Sequence, residues 1–250
     1  QRLFATWERF KSTIPGLTDE QHEAIKPRRP RVFCGSLCDV FDNAVPRQWR
    51  FDLFRLISET PHLDWLLLTK RIGNAPSMID AAIRTIKDSA PGPWGNWRNV
   101  WLGITVCNQE EYDRDITKLA AIPAARRFLS IEPMLGPINL RLYESEGLPT
   151  DDEPFRERHH LIHQIIVGGK TGAKARPMHP DWVRSIRDQC QEAGVAFFFK
   201  AWGEWGFEPY PRIGMKPYES VTIDGEQLFK CGKKRAGRLL DGCEWNEVPE

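Results

Sequence analysis

Short, almost continuously apolar runs recur along the chain, separated by stretches whose apolar residues return every three or four positions. The runs lie at 31–37, 63–68, 99–106, 127–131, 161–167 and 195–199, and each predicts a strand buried on both faces. Pro46 opens a helical pattern in which Trp49, Leu53, Leu56 and Ile57 share one face. A second pattern puts Ile79, Ala82, Ile83 and Ile86 on one stripe, and a third does so with Tyr112, Ile116 and Leu119. A fourth has Pro180 in its first turn, the stripe Trp182, Val183, Ile186 and Cys190, and Gly194 as its stop.

The strands recur about every 30 residues, the size of one strand–helix unit. Apolar strands alternating with amphipathic helices predict an α/β fold with a parallel sheet covered by helices. No GxGxxG follows any strand, so an open dinucleotide-binding sheet loses support and a partial or near-complete (β/α) barrel is favoured. Residues 1–201 form this unit. Residues 202–250 lose the rhythm and predict an irregular extension packed on the barrel, with a hairpin over 221–229 around Asp224-Gly225. The acidic stretch 144–158 predicts a surface insertion.

A chain of 250 residues, 41% hydrophobic and 28% charged, can bury a large core, which excludes disordered, collagen-like and small disulfide-stapled classes. Lys and Arg total 35 against 34 Asp and Glu, so any nucleic-acid partner would need a local patch. Two patches qualify: Lys26 to Arg31 (KPRRPR) and Lys230 to Arg238 (KCGKKRAGR). No apolar run approaches the ~18–20 residues of a membrane span, and a cytoplasmic protein is expected. The absence of an initiating Met suggests a front that has been trimmed. The six Cys (34, 38, 107, 190, 231, 243) show neither a disulfide framework nor a complete metal-ligand set. Cys34 and Cys38 would share one strand face, and Cys190 belongs to a core stripe. His160-x-x-His163 beside a strand is poor evidence for a metal.

Parallel strand–helix folds bind ligands where the strands end. The six ends read Ser36 to Asp39, Thr69-Lys70-Arg71, Thr105 to Asn108, Ser130-Ile131-Glu132, Gly168 to Gly172, and Lys200 to Gly203. Each brings polar groups to one rim. Asp39 and Glu132 could act as bases or hold hydroxyls, and Lys70 and Lys200 could hold a carboxylate or phosphate. GGKTG is not a phosphate loop, because Gln164 stands where its first Gly is required.

The stretches VFCGSLCDVFD, LDWLLLTKR, VWLGITVCNQEEYDRDI, RFLSIEPMLGPI, IIVGGKTGAKARPM, VAFFFKAWGEW and GKKRAGRLLDG stand here in the order found in a bacteriophage and prophage family. Over roughly residues 28–250 the chain resembles these three-Cys-motif proteins, a domain of unknown function related to radical S-adenosylmethionine (SAM) enzymes. The resemblance implies a radical-SAM-like (β/α) partial barrel. It implies three Cys upstream of Gln1 that ligate a [4Fe–4S] cluster, and SAM bound at the rim for radical hydrogen abstraction, with a nucleic acid or nucleotide as one substrate class. Carried over by position, it implies catalytic roles for Asp39, Lys70, Glu132 and Lys200. It implies cofactor binding by Ser36, Thr69, Arg71, Asn108, Ser130, Gly168, Gly169 and Arg176, and no metal ligand in this sequence. Lys170 stands where the family carries an acidic residue, and Cys231 and Cys243 occupy positions the family does not keep as Cys. Two alternatives remain open: an iron-independent lyase or hydrolase, and a non-catalytic partner of a phage operon protein.

Overall fold

In the computed structural model, residues 29–34, 38–87, 90–142, 162–207 and 218–249 are described. Six parallel strands pair in chain order: β1 (Arg31–Cys34), β2 (Asp64–Thr69), β3 (Val100–Thr105), β4 (Arg126–Ile131), β5 (Gln164–Gly168) and β6 (Ala196–Ala201). Strand order that follows chain order has no reversal point, so the helices of the described crossovers lie on the same side of the sheet. The sheet curls into a half-barrel, the α/β architecture the sequence predicts in its partial form.

Four helices follow β1, β2, β3 and β5: α1 (Arg47–Glu59), α2 (Ala75–Thr85), α3 (Gln109–Ala120) and α4 (Pro180–Ala193). Alternation splits each strand between two cores. On the convex face Leu67, Leu102, Ile104, Leu129, Ile165, Val167 and Phe197 meet Phe54, Ile57, Ile79, Tyr112, Leu119, Val183 and Ile186 from the helices. On the concave face Leu66, Trp101 and Phe128 form a separate cluster with Leu68, Ile166 and Val248. Gly103 makes this cluster possible, since a Cβ there would lie 2.4 Å from Cζ of Phe128. The Trp101 ring lies between the guanidinium groups of Arg31 and Arg126, at 5.4 and 5.5 Å, and so seals the strand-start end of the half-barrel.

Half of the predicted face of α1 holds, since Ile57 is in the core and Leu53 packs against it. Trp49 and Leu56 point to solvent, at 68% and 45% exposure, and Arg50, Phe54 and Ile57 face the core. The physical reason is Arg50. Its guanidinium donates to the carbonyls of Val40 (2.9 Å) and Asp42 (3.1 Å), so a cation takes a buried place that a polarity pattern assigns to water. The shared strand face of Cys34 and Cys38 is also corrected, because β1 ends at Cys34 and Cys38 sits in a bend beyond it. The other helices keep their predicted stripes, and Gly194 ends α4 in the left-handed conformation (φ 69°).

After β4 the chain runs 133–140 without a helix, burying Met134, Ile138 and Leu140. The insertion 144–158 lies outside the described residues. In the extension, β7 (Ser220–Ile223) and β8 (Glu226–Phe229) pair antiparallel. Asp224 and Gly225 both have positive φ, the two-residue turn that Asp-Gly favours. A short helix α5 (Lys233–Ala236) follows. The last residues return to β6. Phe199 N–H donates to Trp245 O at 3.0 Å and Glu247 N–H to Phe197 O at 3.1 Å, which covers the free edge of the sheet. No helix among the described residues is long and apolar enough to cross a membrane.

Candidate functional site

At the strand ends the concave face opens into a cleft of about 640 Å³. Phe33 and Leu68 form its apolar wall, and Thr105, Ser130, Glu132 and Lys200 rise from the inward faces of β3, β4 and β6. Asp39, Thr69, Lys70 and Arg71 come from the first two strand ends, and Gly169, Lys170 and Lys233 complete the mouth. The four predicted catalytic residues Asp39, Lys70, Glu132 and Lys200 therefore share one cleft.

Asp39 is a clamp. Its carboxylate accepts from Phe41 N–H (3.0 Å), the Thr69 hydroxyl (2.7 Å), Lys70 N–H (2.9 Å) and Arg71 Nη1 (3.2 Å). These bonds occupy both oxygens and lock the loop after β1 onto the end of β2. Arg71 also pairs with Asp42 at 2.9 Å. Thr69, which is buried, donates to Asp39 and accepts from Arg71 N–H at 2.8 Å, so it belongs to the clamp.

Glu132 faces Lys200, with Nζ 3.0 Å from Oε1 and 3.1 Å from Oε2, and the Ser130 hydroxyl 3.3 Å from Oε2. Gly168 makes room for this carboxylate, since a Cβ there would stand 2.5 Å from Oε1. Gly169 lets the loop after β5 lie against the chain after β6, since a Cβ would stand 1.9 Å from Trp202 O.

Three ammonium groups at the mouth, on Lys70, Lys170 and Lys233, have no ion-pair or hydrogen-bond partner among the described residues. Lys170 and Lys233 were not among the predicted site residues, nor were Asp42 and Thr105. The inward parity of Thr105 was legible in the strand alternation. The position of Lys233 depends on how the extension returns to the rim.

Three predicted cofactor contacts lie off the cleft lining, among them Gly168, which stands behind the Glu132 carboxylate. Asn108 caps α3: its Oδ1 accepts from Glu111 N–H at 2.9 Å, and Glu111 answers by accepting from Cys107 N–H at 2.8 Å. These bonds spend the Asn108 Oδ1 on the start of the helix. Arg176 is exposed on the loop before α4. Ser36 lies outside the described residues, as do Lys26 to Arg28 of the first basic patch. Of the second patch, Lys230 is paired with Glu219 at 3.2 Å and Lys233 lines the cleft.

Buried Cys107 is pushed up to about 11, first by burial and then by Glu111, against the pull of Lys70 and Arg176. His163 is engaged as an acceptor for Arg127 N–H at 3.1 Å, and His160 is outside the described residues. Among the described residues, no three His, Cys, Asp or Glu side chains converge as a metal site.

The model of one protein family matches residues 4–249, almost the full chain. The chain belongs to the DUF5131 family. DUF5131 is described as a family of proteins of unknown function. Comparison with curated proteins and with solved structures gave no match.

Proposed function

We propose that this chain is the SAM- and substrate-binding body of a radical-SAM-like enzyme. The observation that carries the reading is the mixed-charge cleft at the mouth of the half-barrel, with an apolar wall on one side. Support also comes from the ordered stretches shared with the phage and prophage three-Cys-motif proteins. A cytoplasmic setting is part of the same reading and fits six free thiols.

The residues present suit SAM. Glu132 offers carboxylate oxygens to its α-ammonium, and Ser130 and Lys200 stand beside Glu132 to receive its carboxylate. Phe33 and Leu68 offer an apolar surface to the adenine. Asp39, Thr69 and Arg71 act at one remove, by holding the strand ends that present Lys70. The cluster is a different matter. The described residues offer no three-thiolate set, so its ligands would have to come from outside them, and no step is derived through it. In radical-SAM enzymes the bound cofactor supplies a 5′-deoxyadenosyl radical that abstracts a hydrogen atom. This chain's contribution is to hold SAM and substrate side by side and keep water from the apolar wall.

Calorimetric titration of the chain with SAM tests the binding, with Glu132→Gln expected to weaken it about tenfold. Anaerobic iron and sulfide loading of the gene product with its native upstream sequence, followed by assay of 5′-deoxyadenosine, tests the chemistry. Absence of SAM binding, or of iron above background, would end the proposal.

A further inference from the structure

The cleft is lined by five basic side chains, Lys70, Arg71, Lys170, Lys200 and Lys233, and three acidic ones, Asp39, Asp42 and Glu132. Arg71 is shared between Asp39 and Asp42, and Lys200 pairs with Glu132, so the lining carries two more positive charges than negative ones. Lys70, Lys170 and Lys233 are the cations of the lining that pair with none of these acids, so the surplus of two falls among them. SAM cannot neutralise it, since its sulfonium and its amino-acid group together leave the molecule cationic. A second ligand must bring the negative charge.

The backbone under these ammonium groups is anchored. The Lys70 N–H donates to Asp39 at 2.9 Å. Glu204 ties the other two loops together: its N–H donates to Lys170 O at 3.1 Å, and its carbonyl accepts from Gly232 N–H at 3.0 Å. Its carboxylate accepts from Gly172 N–H at 3.0 Å. Three lysines from three separate elements thus have their backbones anchored around one opening, and a polyanion reaching that opening meets all three.

We infer that the substrate is a small phosphorylated molecule whose phosphate groups sit across Lys70, Lys170 and Lys233. Resting on the SAM reading for the first ligand, this names the class of the second. A nucleic-acid strand fits less well. Strand binding takes a continuous track of cations, and the second basic patch is interrupted, since Lys230 and Arg238 are each tied to an acid.

The test is calorimetry on the whole chain with inorganic pyrophosphate as probe, and with SAM in a parallel titration. Lys170→Ala and Lys233→Ala are each expected to weaken pyrophosphate about tenfold while changing SAM affinity less than about twofold. Lys234→Ala, on an exposed neighbour outside the cleft lining, is expected to leave both unchanged. Absent pyrophosphate binding, or binding insensitive to Lys170 and Lys233, overturns the inference. So does tighter binding of a twenty-nucleotide single-stranded DNA whose salt dependence reports six or more phosphate contacts. Lysine-dependent pyrophosphate binding without SAM binding would sink the radical-SAM reading and leave the phosphate site standing.

Discussion

Single residues in the cleft divide into those that hold the frame and those free to meet a ligand. Asp39 reads in the sequence as a base, yet its four donors make it a frame residue. Glu132 has one ammonium and one hydroxyl, and its position depends on the missing side chain of Gly168. Gly168→Ala is expected to push the Glu132 carboxylate aside and weaken SAM about tenfold, with a far smaller change in melting temperature. Calorimetry and thermal melts on the same sample check both halves. Cys107 supplies a second prediction. With its folded-state value at about 11, the thiol keeps its proton at pH 8, and iodoacetamide should label exposed Cys38 and Cys243 well before Cys107. The unfolded thiol ionises near its ordinary value of 9.0, so stability should fall as pH rises from about 9 to about 11. Mass-spectrometric mapping and pH-dependent denaturation read these outcomes.

At the scale of elements, strand positions and helix existence were legible because fully buried parallel strands write a continuous apolar run. The face of α1 was legible only for Leu53 and Ile57. Trp49 and Leu56 extend the stripe of Leu53 and Ile57 as well as Phe54 does, and the pattern alone does not rank them. The choice was made by two carbonyls, of Val40 and Asp42, that lie several residues away and accept from Arg50. Phe54→Ala is therefore expected to cost about 3–5 kcal/mol and Trp49→Ala to stay within about 0.5 kcal/mol. Urea denaturation of both variants checks the difference, and equal losses would restore the face that the sequence suggests.

For the whole molecule, the deciding feature is the curl that turns a sequential sheet into a half-barrel with a sealed bottom and an open mouth. The bottom holds the Arg31, Trp101 and Arg126 stack, and burial pushes the neighbouring Asp64 carboxyl up against the opposing pull of Arg29, Arg31 and Arg126. The last residues finish the seal: Val248 packs on Leu66, Trp101 and Phe128, and the Gln164 amide donates to Glu247 O at 3.1 Å. Val248→Asp should put an unpaired charge on this apolar cluster and destabilise the fold by about 1–3 kcal/mol, a drop visible in thermal melting. An unchanged melting temperature would show that the tail does not contribute to the seal.

The sequence by itself determined the order of strands and helices, the Asp-Gly hairpin, and the delivery of Asp39, Lys70, Glu132 and Lys200 to one rim. These follow from local periodicity, turn chemistry and the one-sided rule for parallel crossovers, none of which needs a distance between remote residues. Only the tertiary structure decided which of those charges cancel. Lys200 lies 68 residues from Glu132, and Arg71 lies 32 from Asp39. Coulomb attraction depends on separation in space, so the surplus on Lys70, Lys170 and Lys233 exists only once the sheet has curled and the extension has come back to its mouth.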